Sequence, residues 1–161
     1  NYVLRKKKAD RVLIIDLDVH QGNGTAEIFK NDSRVFTFSM HGAKNYPIRK
    51  EKSDLDIGLE DGCKDEDYLA LLVKNLNIVI KEFSPEFIFY QAGVDVLATD
   101  KLGRLGLTKV GCKRRDQFVL EFAKREQIPL VVCMGGGYSP NIKDIIEAHA
   151  NTFKIAQQIF L

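Results

Sequence analysis

"RVLIIDLDVHQGNGT", residues 11–25, carries both the clue to the architecture and the densest chemistry in the chain. Its first half is a nearly continuous run of aliphatic residues, the pattern of a parallel strand covered on both faces. Its second half sets Asp16, Asp18 and His20 at alternate positions and then turns through Gly22 and Gly24. In an extended chain those three polar side chains share one side, while Leu17 and Val19 take the other. Two carboxylates and an imidazole converging at the end of a buried strand require a compensating cation. Asp oxygen with His nitrogen suits Zn²⁺, and a site with open positions also accepts Fe²⁺. From this segment alone, an Asp–His hydrogen bond capping the strand is the plainer alternative.

The Gly-Asn-Gly also invites a phosphate-binding reading. A dinucleotide loop needs GxGxxG, and "GNGTAE" has Glu27 at the third glycine position. Asp16 and Asp18 would moreover face the anion. The glycines are therefore read as a tight turn leading from the metal site into the helix "TAEIFK".

Further apolar runs follow at "RVFTFSM" (34–40), "EFIFYQ" (86–91) and "IPLVVCM" (128–134), with a shorter alternating candidate at 53–59. Amphipathic segments separate them. From Asp65, an acidic first turn precedes Leu69, Leu72, Val73, Leu76, Ile80 and Phe83 on one face. Thr108 is a cap for a helix to about Gln127, with Phe118 and Phe122 facing inward. After Pro140, the residues Ile142, Ile145, Ile146, Phe153, Ala156 and Phe160 form a third stripe, and His149 on it reads as a core or boundary residue. Strands alternating with helices predict an α/β fold, a parallel sheet with flanking helices.

At 161 residues and 45% apolar content, the chain supports one domain with a real core. Lys plus Arg is 24 against 22 for Asp plus Glu, so no charge excess points to nucleic acid or an anionic membrane. "RKKK" at 5–8 reads as a solvated helix end. There is no apolar stretch of membrane-spanning length and no signal-like apolar core at the N-terminus. Cys63, Cys112 and Cys133 form no CxxC pair, which suits a reducing compartment, so the expected location is cytoplasmic or nuclear rather than secreted. Cys133 reads as a small buried hydrophobe.

In an open parallel sheet, ligands gather beyond the carboxyl ends of the strands. Polar residues collect there after every run: Asp18 and His20, then Ser39 and His41, then Asp95 in "QAGVDVLATD", then Tyr138 in "MGGGYSP". The "GGGY" stretch could cradle an anion. The preferred reading is a backbone wall, including Gly136 and Gly137, that places the Tyr138 hydroxyl where it can donate to a forming oxyanion. The long connections 41–64 and 92–107 are expected to be functional.

"DLDVHQGNGT", "QAGVDVL" and "GGGY", in this order, resemble the zinc-dependent histone deacetylase family, and "HGAKNYPIRKEKSDLDIGL" resembles its class IV-like and prokaryotic branch. The resemblance implies an arginase/deacetylase-like fold in which Asp18, His20 and Asp95 bind zinc and Tyr138 stabilises the oxyanion. It implies that Asp16 lies behind the ligands and helps hold a structural K⁺ with the Ser39 hydroxyl. It implies that Tyr46 walls an acyl-lysine tunnel. The substrate class would be an acetylated lysine in a protein, or an acetylated amine.

One departure stands out. The family's general base is a pair of adjacent histidines, whereas this chain has only His20, His41 and His149. The expectation is that residues 1–161 are the C-terminal portion of a single deacetylase-like domain, inactive without the N-terminal half. Two alternatives stay open: a non-catalytic metal-binding or interaction module of the same fold, and an arginase-like hydrolase with two manganese ions. The latter needs a D-x-H-x-D ligand run, against D-x-D-x-H here, and a partner for Asp95 that Asp100 fits poorly.

Overall fold

The computed structural model describes residues 1–161. Its elements run α1 (Tyr2–Arg5), β1 (Val12–Asp16), α2 (Asn23–Phe29), β2 (Val35–Gly42), β3 (Leu55–Leu59), α3 (Asp65–Phe83), β4 (Phe87–Gly93), α4 (Lys109–Arg125), β5 (Leu130–Gly135) and α5 (Ile142–Phe160). All five expected strands form. They pair in parallel in the order β3-β2-β1-β4-β5, which puts the first strand at the centre and every carboxyl end on one rim.

The two faces of this sheet are unequally covered. On one, Leu13 and Ile15 of β1, Phe38 and Met40 of β2, and Ile88 and Tyr90 of β4 join Leu72 and Leu76 of α3 and Val119 and Phe122 of α4 in the main core. On the other, α1 closes a small cluster of Leu4, Ala9, Val12 and Val35, against which Phe87 and Phe89 pack only partly. Beyond it that face lies open: Val131 of β5, in register with Phe89, is 42% exposed. Cys133 is exposed too, contrary to the buried site expected for it. The reason is topological. β5 is an edge strand with helices on one face only, so its apolar run does not bring two-sided burial.

The helices follow their capping signals more closely than their stripes. The Thr108 side chain accepts a hydrogen bond from Gly111 N–H, and Asp65, Glu66 and Asp67 fill the first turn of α3. In α3 the buried set includes Tyr68 and Val79, while Val73 is exposed. The α5 stripe is displaced. Ala148, Thr152 and Ile155 are the buried positions, whereas Ile142, Ile146, Phe153 and Phe160 face outward. α5 lies along α4 with Thr152 turned towards it, where the Thr152 hydroxyl donates to Asp116 Oδ2, and this sets which side of the helix is buried. His149 is half-buried, at the boundary. No helix is long and apolar enough to cross a membrane.

Candidate metal centre

The chain leaves β1 at Asp16 and does not continue extended. Asp16 Oδ1 accepts Asp18 N–H at 3.1 Å, and Asp18 Oδ1 accepts His20 N–H at 2.9 Å. These side-chain turns replace the straight alternation expected for the segment, yet the outcome for burial is the same. Leu17 and Val19 are fully buried, and Asp16, Asp18 and His20 stay accessible on the other side. Gly22 caps α2 with an ordinary φ of −69°, and Gly24 lies inside that helix, so neither makes the tight turn expected of them. What requires a glycine at 22 is space, because a Cβ there would meet the Asp16 carboxylate at 2.5 Å.

Asp95 reaches the same place from the loop after β4. Its Oδ1 accepts Val19 N–H at 3.0 Å, tying it to the β1 exit. His20 Nδ1 then sits 3.0 Å from Asp18 Oδ1 and 3.3 Å from Asp95 Oδ2. One ligand atom from each of the three residues lies within 4.8 Å of the others. Asp95 Oδ2 is buried and has no hydrogen-bond partner. An orphaned carboxylate oxygen aimed at an imidazole and a second carboxylate is the arrangement a divalent cation resolves.

The electrostatics agree. Burial is the largest cause pushing the Asp16 carboxyl up to about 7, with Asp18 and Asp95 adding repulsion. Asp95 is likewise pushed up to about 7 by burial first and the Asp18 charge second. Carboxylates crowded this closely are held in their charged form only by a cation. Asp16, Asp18 and His20 line a cleft of about 370 Å³ together with Phe89, Gln91 and Cys133, on the open face of the sheet.

Gly136 closes the other side. Its φ is +63°, and a Cβ would run into the Asp95 carboxylate, so the wall expected of "GGGY" is backbone pressed against Asp95. Gly137 packs on Val94 and Ile145 instead. Tyr138 is 54% exposed, and its N–H donates to Asp100 Oδ2 at 2.6 Å. Asp100 is thus committed to loop backbone and is no second metal ligand. Ser39 pairs in register with Asp16, accepts Gly22 N–H at 3.2 Å and lies 3.0 Å from His41 Nδ1. Burial holds the His41 pKa down. Tyr46 is 70% exposed on the loop after β2 and is not part of the cluster.

The family model of the histone deacetylase domain matches residues 1–153. The chain belongs to the histone deacetylase family. It is 43% identical over 152 residues to an uncharacterized protein of Picosynechococcus, covering 94% of this chain and 51% of that one. It is 34% identical over 149 residues to histone deacetylase 2 of Arabidopsis thaliana, covering 91% and 38%. Among solved structures it resembles the HDA15 HD domain, with TM-score 0.79 and 28% identity, over 97% of this chain and 48% of that one. The chain therefore spans about half the length, or less, of these relatives. Family membership implies a metal cofactor, and Asp18, His20 and Asp95 are the residues here that fit one.

Three residues that hold the site together carry little signal in the sequence: Asp100 reads there only as a poor ligand, and Arg115 and Asp116 read as ordinary helix charges although both are fully buried in α4. Spacing was the available signal. Arg115 stands three residues after Cys112 and four before Val119, on the inward face of the helix.

Proposed function

We propose that this chain supplies the metal-binding and oxyanion-stabilising part of a deacylase that removes acetyl or other acyl groups from lysine side chains or from small amines. The observation that carries the reading is the convergence of Asp18, His20 and Asp95, with Asp95 Oδ2 buried and unpartnered, at the carboxyl rim of a parallel sheet. Zn²⁺ is the proposed ion, with Fe²⁺ the competitor. When bound, such an ion polarises the acyl carbonyl and acidifies its water. Asp16 and Ser39 are proposed to support a structural K⁺ behind the ligands.

The remaining roles belong to the chain's own groups. The Asp100 carboxylate and the Gly136 backbone hold the strap from which Tyr138 presents its phenol. That hydroxyl is proposed to donate to the oxygen on which charge develops. Tyr46, on its exposed loop, is proposed to border the acyl group's path. No histidine here is placed as the base, since His20 faces the carboxylates, His41 is buried beside Ser39 and His149 lies within α5. The base is proposed to come from the rest of the domain, seated on the open sheet face beside the cleft. That part of the domain is also proposed to select the acyl group and its carrier.

Elemental analysis and competition titration test the reading directly. One Zn²⁺ per chain is expected, with uptake lost in Asp95→Ala and in His20→Ala. Two ions per chain would favour the binuclear alternative. No uptake by the unsubstituted chain would leave only the interaction-module reading.

A further inference from the structure

Beneath the ligand-bearing loops lies a buried charged cluster that the reaction does not use. The Arg115 side chain is fully buried, with Nε donating to Asp116 Oδ1 at 2.8 Å and Nη2 2.7 Å from the same oxygen. Asp116 is in turn held by the Tyr90 hydroxyl, which donates to Oδ1, and by the Thr152 hydroxyl, which donates to Oδ2 at 2.6 Å. The guanidinium is thereby fixed from β4, α4 and α5 at once. Its free end points at the sheet rim, where Nη1 donates to Leu17 O at 3.1 Å and to Gly93 O at 2.6 Å.

Those two carbonyls are not arbitrary. Leu17 immediately precedes Asp18, and Gly93 stands two residues before Asp95. The last paired positions of β1 and β4 are Asp16 and Gln91, after which these two strands part while β4 stays paired with β5 through Gly93. One nitrogen of Arg115 bridges the gap. Gly93 is also the point where backbone lies directly against Asp18, since a Cβ there would meet its Cα and carboxylate at 2.6 Å. A shift of either carbonyl would displace a ligand carboxylate with it.

We propose that Arg115 is a positioning residue for the metal centre: by binding Leu17 O and Gly93 O together it sets the spacing of the two strand exits that carry Asp18 and Asp95. This rests on the metal reading above and extends it. Groups behind metal ligands that orient them typically contribute about 10- to 100-fold to metal affinity. A planar fork holding one carboxylate and two carbonyls is a task Lys does not reproduce, because its single ammonium lacks that geometry.

The test compares Arg115→Lys with Thr152→Val in the full chain. The second variant weakens the same buried cluster from its far side and touches neither carbonyl. Zn²⁺ affinity by chelator competition, the visible absorption of the Co²⁺ form and the thermal midpoint are read for each. Arg115→Lys should lose about 10- to 100-fold in Zn²⁺ affinity and shift the Co²⁺ bands. Thr152→Val should lower the midpoint while leaving affinity and bands unchanged. Equal affinity in Arg115→Lys and the unsubstituted chain overturns the proposal, as does a loss in both variants that merely follows the midpoint. If Arg115→Lys does not fold, the guanidinium Nε–H resonance of Arg115 in the unsubstituted chain decides. It should shift on Zn²⁺ saturation, and a resonance that stays in place overturns the role. Failure of the unsubstituted chain to take up Zn²⁺ sinks the metal reading itself, whereas uptake indifferent to Arg115 sinks only the positioning role.

Discussion

Asp100 holds the backbone of Tyr138 through one carboxylate oxygen and its own loop through the other. Oδ2 accepts Tyr138 N–H at 2.6 Å, and Oδ1 accepts Leu102 and Gly103 N–H at 2.8 Å each. Two chain segments that diverge after β4 and β5 are thereby stitched at one side chain, reinforced by the 2.7 Å contact between Thr99 and Ser139 hydroxyls. Asp100→Ala removes three acceptor contacts to backbone N–H groups. Hydrogen bonds to charged groups contribute about 1.5–3 kcal/mol each when well sheltered, and less here where the loop meets solvent. The expected loss is about 1–2 kcal/mol, with faster amide exchange confined to residues 136–139 and 100–104. Unchanged exchange in Gly137 and Tyr138 would show that Asp100 does not restrain the strap.

Gly136 tests the other restraint on that strap. A side chain at φ +63° is strained, and here the added Cβ also collides with the Asp95 carboxylate. Gly136→Ala should therefore weaken Zn²⁺ binding at least tenfold and destabilise the chain by about 1–3 kcal/mol. Gly24→Ala is the control, because nothing lies within 4 Å of its added Cβ. That substitution inside α2 should be neutral or slightly stabilising. A Gly136→Ala chain that binds Zn²⁺ normally would mean that the wall yields without disturbing its ligand.

The rim was far more legible than the outer surfaces, and the contrast is physical. Alternation at Asp16, Asp18 and His20, with Asp95 beyond β4, marks polar groups that local sequence must encode, and the structure brings Asp18, His20 and Asp95 together. β5 shows what a run of apolar residues leaves unsaid. "LVVCMG" encodes the burial it would have with both sheet faces covered, and only one is covered here, so Val131 and Cys133 read as buried and are not. The α5 stripe failed for another reason. Hydrophobicity favoured Ile142, Ile146 and Phe153, but the buried side carries Ala148, Thr152 and Ile155, with Thr152 hydrogen-bonded to Asp116 of α4. Arg115 was hidden by its charge, since an Arg in a helix is read as surface unless its spacing is weighed first.

The raised carboxyl pKa values give the metal-free chain an acid-side advantage. Asp16 and Asp95 keep a proton to about 7 when folded, whereas an unfolded Asp loses it near about 3.9. Between those values the folded state binds more protons, so stability falls as pH rises through that window. In chelator, the thermal midpoint should therefore drop between pH 5 and pH 8 more steeply for the unsubstituted chain than for Asp95→Asn, which cannot ionise. Excess Zn²⁺ should flatten or reverse the slope, because the ion requires deprotonated ligands and stabilises only the folded form. Equal slopes for the two chains in chelator would contradict the burial assigned to Asp95.

The open face of β4 and β5 makes the last prediction, and it separates a surface awaiting cover from a core. Val131 and Val132 are neighbours on one strand with opposite surroundings. Val131 shares the open face with Phe89, while Val132 is in register with Tyr90 and packs against the main core. Val131→Lys should change stability by no more than about 0.5 kcal/mol, as is usual for exposed positions. Val132→Lys places an unpaired ammonium against that core and should cost at least ~2 kcal/mol. The exposed apolar face and the unpaired edge of β5 should also drive self-association. Val131→Lys should reduce it at micromolar concentration in sedimentation velocity, without loss of Zn²⁺ binding. Equal destabilisation by the two substitutions would mean that Val131 is covered after all, and the seat proposed for the rest of the domain would have to lie elsewhere.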